Sequence, residues 1–214
     1  YQNSSVNDYQ VPVFDRSRYT KEFNWFAEWY LEQWLSYTVS PKDKALLSWL
    51  DGHIAEQCLL QPQVLIHYDF HSRNLLRLAD GQVGVIDFQD AKLGPVTYDV
   101  VSLFTDCYID WPREQVEQWC ATFQKQLLAQ DLISEDDVDT FMMWFDYVVL
   151  QRHLRNFGNF ARLKIVKNKP QYIQYFPRMS AYVLAVCKRY PQLDKVGQWL
   201  EPLLCFDDKA VESV

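Results

Sequence analysis

Glycine is scarce in this chain of 214 residues. The chain has 6 glycines, and none of them precedes Gly52. Glycine-rich loops wrap phosphate groups because a residue without a side chain lets the backbone come close to the ligand. The residues before Gly52 therefore offer no glycine-rich loop for a nucleotide.

Paired cysteines and long apolar runs are missing as well. The 5 cysteines are odd in number and widely spaced, and none lies in a C-x-x-C pair. This pattern excludes a disulfide framework and a cysteine zinc site, so we expect reduced, buried thiols in a cytoplasmic protein. No stretch approaches the ~20 apolar residues that a membrane-spanning helix needs, and we expect no membrane partner.

A surplus of basic charge is also absent. Lys and Arg number 21 against 28 Asp and Glu, which gives a net charge of −7 at pH 7. Proteins that bind nucleic acid or anionic lipid generally carry a positive field. We therefore expect no nucleic-acid partner.

Apolar and aromatic residues, by contrast, are abundant. Hydrophobic residues make up 49% of the chain and aromatic residues 16%, a composition that excludes intrinsic disorder. A chain of this length can bury one substantial core. We expect residues 1–214 to form a single domain.

Helical patterns dominate the sequence. Aromatic residues at helical spacing predict a helix over 18–36. Ser40, Pro41 and Asp43 are typical of a helix start, with a capping serine, a proline in the first helical position and an acid in the first turn. Further helices are expected near 96–109, 112–130, 135–157, 171–190 and 194–204, the third of them capped by Ser134.

A small β element interrupts the helices. Residues 64–66 are a short apolar run that predicts a strand. Residues 75–78 and 83–86 flank the turn-forming pair Asp80-Gly81 and predict a hairpin. The expected fold class is α+β, mainly α.

Polar residues are concentrated in the loop between this strand and the hairpin, HYDFHSRNLL at 67–76. The hairpin would return Asp87 beside the loop that carries Asp69 and Asn74. Oxygens of Asn74 and Asp87 could then face one hard cation such as Mg²⁺, which leaves Asp69 as a base for phosphoryl transfer.

Two other interpretations of this loop remain open. Asp and Asn favour turns for local reasons, so the cluster could simply shape the backbone. Alternatively, His67, Asp69 and His71 lie on one face of an extended segment, a spacing that could bind zinc.

The motifs in this region resemble a known family. The pattern H-x-D-x-x-x-x-N followed by I-D-F resembles the catalytic and metal loops of the protein-kinase-like phosphotransferases, in the form typical of the aminoglycoside/choline-kinase branch. Longer strings resemble the bacterial N-acetylmuramate/N-acetylglucosamine anomeric kinases of cell-wall recycling, namely HSRNLL, IDFQDAKLGPVTYDVVSL, DCYIDWP and QRHLRNFGNFARL. The similarity runs from about residue 20 to beyond residue 180.

This resemblance implies a protein-kinase-like C-terminal lobe that acts with ATP and Mg²⁺ on a small amino-sugar substrate. Asp69 matches the catalytic base, and Asn74 and Asp87 match the Mg²⁺ ligands. His67 matches a histidine that anchors the loop. Asp99 matches a buried carboxylate that holds the catalytic loop through backbone hydrogen bonds.

Further residues are candidates for substrate binding. His71 is expected to border the phosphate or sugar pocket. The late helix carries three more candidates, for which a solvated helix face is the alternative. The full set is His71, Arg73, Asp90, Arg152, His153 and Arg155, and Asp106 and Asp110 could also reach a sugar.

The sequence departs from the family pattern at Tyr68, where this branch usually has Gly or Arg. We expect the tyrosine to leave Asp69 undisturbed and to change the rim of the pocket or its charge.

Two other functions remain open. The acceptor could be an aminoglycoside or choline, for which the charge of −7 permits an acidic pocket but Arg152 and Arg155 would oppose a cation. The chain could also be a non-catalytic kinase-like binding module, although Asp69, Asn74 and Asp87 are all present.

A kinase of this family also needs an N-terminal lobe, in which a lysine on a strand and a loop hold the nucleotide. Residues 1–60 predict helices, and no strand of the V-A-I-K type is found among them. The chain also begins with Tyr1 rather than Met. We therefore expect residues 1–214 to be the C-terminal lobe alone, inactive by itself within a parent protein that is an enzyme.

Overall fold

Helices make up most of the structure, a computed structural model that describes residues 10–206. The α-helices are α1 (Arg16–Trp25), α2 (Pro41–Leu59), α3 (Tyr98–Phe104), α4 (Arg113–Ala129), α5 (Phe141–Lys167), α6 (Phe176–Arg189) and α7 (Asp194–Leu200). The strands are β1 (Gln63–Ile66), β2 (Leu75–Arg77), β3 (Val83–Val85) and β4 (Lys92–Pro95). The mainly helical architecture expected from the sequence is confirmed.

The chain divides into two compact units. Among the described residues, the first unit contains residues 10–15 and Gln57–Val148. The second contains Arg16–Glu56 and residues 149–206. All four strands belong to the first unit.

Two antiparallel strand pairs lie in the first unit. The predicted hairpin is present, with Leu75 opposite Val85 and Arg77 opposite Val83. Its turn contains Gly81 at φ 84°, a left-handed conformation that glycine adopts without strain. The hairpin was therefore predicted at the correct place and with the correct type.

The second pair joins β1 to β4, and β4 is an element that the sequence did not predict. Val64 lies opposite Gly94, and Ile66 lies opposite Lys92. The β4 sequence Lys-Leu-Gly-Pro contains two residues that usually interrupt strands. The strand forms nonetheless, because β4 pairs with β1 and also bonds to the segment around Phe14. The backbone nitrogen of Phe14 donates to Leu93 O at 2.7 Å.

Several helix boundaries also differ from the predicted ones. The helix predicted over 96–109 is only α3, which ends at Phe104. Ser134 does cap a helix start, but Asp137 closes the reciprocal capping box after a single 3₁₀ turn, and α5 begins only at Phe141. A 3₁₀ turn at Pro170–Tyr175 likewise precedes α6.

The helix predicted over 18–36 is α-helical only up to Trp25. From Phe26 to Trp34 the chain forms a π-helix, and Leu35 N donates to Tyr30 O at 3.0 Å in the i→i+5 pattern. Its buried rings join the core of the second unit, where the ring centres of Tyr30 and Phe157 lie 4.8 Å apart.

Gly158 allows α5 to approach the junction between α1 and the π-helix. A Cβ atom built on Gly158 would lie 2.2 Å from the carbonyl oxygen of Trp25 and 2.7 Å from the backbone nitrogen of Phe26. These are backbone atoms, so the clash cannot be relieved by turning a side chain.

We expect Gly158→Ala to lower the free energy of unfolding by roughly 3 kcal/mol, because overpacking forces the backbone to move. Gly52→Ala in α2 is the matched control, since its nearest neighbour, Arg16 Nη2, would lie 3.7 Å from the new Cβ. Alanine there should stabilise the helix by up to ~1 kcal/mol. Urea unfolding of both variants measures the difference, and equal midpoints would contradict the close approach.

The cysteines are mostly buried, as the sequence indicated. Cys58, Cys107, Cys120 and Cys187 are buried, whereas Cys205 is exposed. Burial raises the pKa of Cys120 and that of Cys187 to about 12, so these thiols are unreactive at neutral pH.

Among residues 10–206, we find no helix with the length and apolar character needed to cross a membrane.

Candidate active site

The polar loop of the sequence forms a tightly folded segment in the first unit. It leaves β1 at Ile66, turns at Tyr68 and enters a 3₁₀ turn at Ser72–Asn74 before β2 begins. His71 N donates to Asp69 O at 3.0 Å, and Asn74 N donates to His71 O at 2.9 Å. The loop is thus fixed by its own backbone.

Asp99, in the first turn of α3, holds the start of this loop. Its Oδ2 accepts a hydrogen bond from His67 N at 2.6 Å, and its Oδ1 accepts one from Tyr68 N at 3.0 Å. Ionised acceptors form the stronger class of hydrogen bond. One partly buried carboxylate therefore satisfies two successive backbone donors, which is the geometry that the family resemblance implied.

Tyr68 occupies a position where the backbone turns sharply. Its φ is 78°, in the left-handed region that costs a residue with a side chain roughly 1–2 kcal/mol. Its ring is only 3% exposed, stacks on Tyr98 at 5.5 Å and lies 3.2 Å below Lys92 Nζ. The expectation that Tyr68 alters the pocket rim is wrong, because its side chain packs into the interior.

Asn74 is held from two sides and is 8% exposed. Its Nδ2 donates to Asp69 O at 2.9 Å and lies 3.5 Å from Asp87 Oδ2. The amide nitrogen faces the loop, so Oδ1 is the atom left to meet a cation. Asn74 therefore shapes the turn, as the local interpretation suggested, and also lies beside Asp87.

The hairpin does return Asp87 to the loop. Ile86 N donates to Asn74 O at 3.1 Å, and His67 donates from Nε2 to Ile86 O at 2.9 Å. Asp87 itself has φ 69°, a conformation that aspartate tolerates better than most residues. The backbone of Ile86 is thereby hydrogen-bonded to both ends of the loop, and the exposed Asp87 carboxylate lies beside Asn74.

Asp69 lies between these anchored residues. Its backbone oxygen accepts the two bonds from His71 and Asn74, so its position is fixed. Its side chain is half-buried rather than enclosed. A substrate hydroxyl can therefore reach the carboxylate.

The donor set fits a hard cation. Asn74 and Asp87 offer an amide oxygen and a carboxylate, which suffice for Mg²⁺ when phosphate oxygens complete the coordination. Within residues 10–206, no three His, Cys, Asp or Glu side chains are placed to share one metal ion. His67, Asp69 and His71 therefore do not form a zinc site, and the zinc interpretation is wrong.

Residues 7–134 match the family described as the phosphotransferase enzyme family, APH. The match covers more than half of the chain and the whole loop. The chain belongs to this phosphotransferase family.

Three bacterial relatives of this family member carry the same name, N-acetylmuramate/N-acetylglucosamine kinase. The Pseudomonas putida protein is 35% identical over 196 residues, 92% of this chain and 58% of its own length. The Neisseria meningitidis protein is 36% identical over 183 residues, which are 86% of this chain and 54% of that protein. The Pseudomonas aeruginosa protein is 32% identical over 193 residues, which are 90% of this chain and 57% of that protein. The chain thus spans about half the length of these curated relatives.

Two of the remaining candidates, His71 and Arg73, lie against Tyr108. The His71 ring meets the Tyr108 ring edge-on at 5.4 Å, and the Arg73 guanidinium lies 3.6 Å above the same ring. Asp90 is exposed in the turn between β3 and β4. Substrate binding by His71, Arg73 and Asp90 stays a prediction.

Asp106 differs from the sequence-based expectation. It is 3% exposed, and its two oxygens accept backbone hydrogen bonds from Ser72 and Tyr108, each at 2.9 Å. It therefore cannot offer its carboxylate to a sugar as expected. The bond to Tyr108, two residues on, is a local turn that Asp commonly forms, and this signal was available in the sequence.

The three candidates on α5 lie in the second unit and are buried. Arg152, His153 and Arg155 are 6%, 1% and 9% exposed. The alternative of a solvated helix face is wrong. Their role as substrate ligands stays a prediction.

The buried acid Glu22 accounts for the burial of Arg155, because the two side chains form an ion pair. Arg155 Nε lies 3.3 Å from Oε2 of Glu22, which is 1% exposed, and Arg18 Nε lies 2.7 Å from Glu22 Oε1. The ring of His153 stacks on Tyr182 at 5.1 Å. Sequence reasoning missed Glu22, because nothing local distinguishes it from a surface acid.

The two bonds to Asp99 give a stability prediction. Asp99→Ala leaves His67 N and Tyr68 N without their acceptor, and each unsatisfied donor costs about 1–3 kcal/mol. We expect the free energy of unfolding in urea to fall by roughly 3 kcal/mol. Asp139→Ala, at an exposed position, should change it little. Similar midpoints for the two variants would show that Asp99 does not hold the loop.

Proposed function

We propose that the protein containing this chain is a kinase that transfers the γ-phosphate of ATP to a sugar hydroxyl. The acceptor proposed is the anomeric hydroxyl of N-acetylmuramate or N-acetylglucosamine, in the recycling of cell-wall sugars in the cytoplasm. Membership of the phosphotransferase family supports the reaction, and the names of three relatives support the acceptor.

The observation that carries the proposal is the junction of Asp69, Asn74 and Asp87. The Asn74 amide nitrogen lies 2.9 Å from the backbone oxygen of Asp69 and 3.5 Å from Asp87 Oδ2. Asn74, one proposed metal ligand, therefore lies between the backbone of the proposed base and the other proposed ligand, Asp87. Phosphoryl transfer depends mainly on such positioning, because the protein has little covalent work to do.

Asp69 is proposed to accept a hydrogen bond from the sugar hydroxyl and to orient its oxygen toward the phosphate. Its backbone is fixed by two hydrogen bonds, which limits the positions that the carboxylate can take. The role requires an accessible carboxylate, and Asp69 is only half-buried.

Asn74 Oδ1 and the Asp87 carboxylate are proposed to hold Mg²⁺. When bound, this ion would neutralise the phosphate charge that builds up during transfer. The tie from Ile86 to Asn74 fixes the spacing between the two ligands.

An acceptor panel tests the proposal with the full-length protein. ADP release is measured with N-acetylmuramate, N-acetylglucosamine, kanamycin and choline in separate reactions with Mg²⁺ and ATP. We expect turnover with one or both amino sugars only. Turnover with kanamycin or choline instead would overturn the acceptor but keep the reaction. No turnover together with no ATP binding would favour the non-catalytic binding module.

A further inference from the structure

We propose that Asp106 and Tyr108 form a clamp that positions Asn74 for the cation. This Asp106–Tyr108 clamp rests on the proposed function, because the cation in question is the Mg²⁺ of the kinase reaction. Neither residue is proposed to touch a substrate. Both act as positioning residues through the 3₁₀ turn Ser72–Asn74.

Asp106 provides the polar half of the clamp. Its carboxylate Oδ2 accepts Ser72 N at 2.9 Å, and its Oδ1 accepts Tyr108 N at 2.9 Å. The side chain is 3% exposed, so water does not compete strongly for these bonds. One carboxylate thus joins the first residue of the turn to the segment that follows α3.

Tyr108 provides the aromatic half. Its ring lies 3.6 Å beneath the Arg73 guanidinium, within the range of a cation–π contact. The same ring meets the edge of the His71 ring at 5.4 Å with an interplanar angle of 77°. The three residues that directly precede Asn74 are therefore each held, Ser72 through its backbone and the other two through their side chains.

The position of the turn is important because Asn74 both bonds to the loop and is proposed to bind the cation. Its Nδ2 donates to Asp69 O at 2.9 Å, which leaves Oδ1 as the amide atom available to the proposed cation. A shift of the turn by a fraction of an ångström would change the separation between Asn74 and Asp87. Residues that orient metal ligands commonly affect metal affinity about 10–100-fold when they are replaced.

The decisive variant is Asp106→Asn in the full-length protein. Asparagine keeps the size of the side chain but replaces one acceptor with a donor, which opposes one of the two backbone N–H groups. We expect the Mg²⁺ concentration for half-maximal rate to rise about tenfold. The KM for the sugar should rise by much less than the Mg²⁺ requirement, and saturating Mg²⁺ should restore most of kcat.

Asp139→Asn is the matched control. It makes the same change of charge at an exposed position of the same unit. Its Mg²⁺ dependence should equal that of the unmodified protein. A normal Mg²⁺ dependence in Asp106→Asn would overturn the proposal. So would changes of equal size in the Mg²⁺ requirement, the KM for the sugar and kcat.

Tyr108→Leu tests the aromatic half and covers the case in which Asp106→Asn does not fold. Leucine keeps apolar bulk but removes the ring beneath Arg73. We expect a rise of about threefold in the required Mg²⁺ concentration, smaller than for Asp106→Asn because the bond to Ser72 remains. An unchanged requirement would remove Tyr108 from the clamp.

Hydrogen exchange provides a readout that does not depend on activity. In Asp106→Asn the amides of residues 71–75 should exchange about tenfold faster, while those of β1 and β4 keep their protection. Unchanged exchange at 71–75, or equal loss throughout the unit, would overturn the clamp. If the unmodified protein phosphorylates no acceptor, the proposed kinase function fails, and the exchange result still decides whether the clamp holds the turn.

Discussion

Asp69→Asn is expected to lower kcat by about 10²–10⁴-fold, the range that a positioned general base contributes. Asparagine has the same shape as aspartate but cannot accept the proton of the sugar hydroxyl. The loop should keep its structure, because Asn74 and His71 bond to the backbone oxygen of residue 69 rather than to its carboxylate. Steady-state kinetics of the full-length protein measure the effect.

Two further measurements define what the Asp69 result means. The dissociation constant for ATP and the midpoint of thermal unfolding should both stay close to those of the unmodified protein. Added Mg²⁺ should not restore the rate, since Asp69 is not proposed to bind the ion. A variant that keeps most of its kcat would remove Asp69 from the base role.

Asp87→Asn is expected to have the second largest effect, through the metal rather than the hydroxyl. The variant keeps one ligand oxygen but loses the negative charge, so Mg²⁺ affinity should fall about 10–100-fold or more. The φ of 69° at residue 87 should not oppose the change, because asparagine tolerates the left-handed region as well as aspartate does. The rate should recover in part as Mg²⁺ is raised, unlike the rate of Asp69→Asn.

Asp80→Asn on the same hairpin is the control for Asp87→Asn. Asp80 Oδ1 accepts Gln82 N at 3.0 Å in the turn, and asparagine can make the same bond. Titration of the rate with Mg²⁺ should give unchanged curves for this control. An Asp87→Asn curve that matches it would show that Asp87 does not bind the cation.

Much of the fold was predictable because its signals are local. The spacing of aromatic residues marked the first helix, and Ser40 with Asp43 marked the start of the second, where Asp43 N donates to Ser40 Oγ at 3.2 Å. The pair Asp80-Gly81 marked the hairpin. That hairpin placed Asp87 beside Asn74, so the centre of the candidate site followed from the turn signals of the sequence.

The elements that were missed depend on partners distant in the chain. Strand β4 exists because its edge pairs with β1, although Gly94 and Pro95 argue locally against a strand. Tyr68 is buried because Tyr98, 30 residues later, offers a ring to stack on. The π-helix after Trp25 is likewise invisible to a search for helical periodicity, since its apolar residues still recur every three or four positions.

Buried charge was the other source of error. Asp106 and Arg155 look like surface residues in the sequence, because charged side chains are rarely buried unless they are paired. Asp106 is buried against backbone donors, and Arg155 is buried against Glu22. Of the two donors to Asp106, Tyr108 is local but Ser72 lies 34 positions away, and Glu22 lies 133 positions from Arg155. Local patterns could therefore indicate the turn at Asp106 but not the distant contacts that accompany the burial of these two side chains.

The most direct test of the central claim is ³¹P NMR of the full-length protein with Mg²⁺, ATP and N-acetylmuramate or N-acetylglucosamine. We expect a new sugar 1-phosphate signal that grows as the γ-phosphate signal of ATP declines, and that is absent with Asp69→Asn. Hydrolysis of ATP without a sugar phosphate, or an equal signal from Asp69→Asn, would contradict the proposed reaction or the role of Asp69 in it.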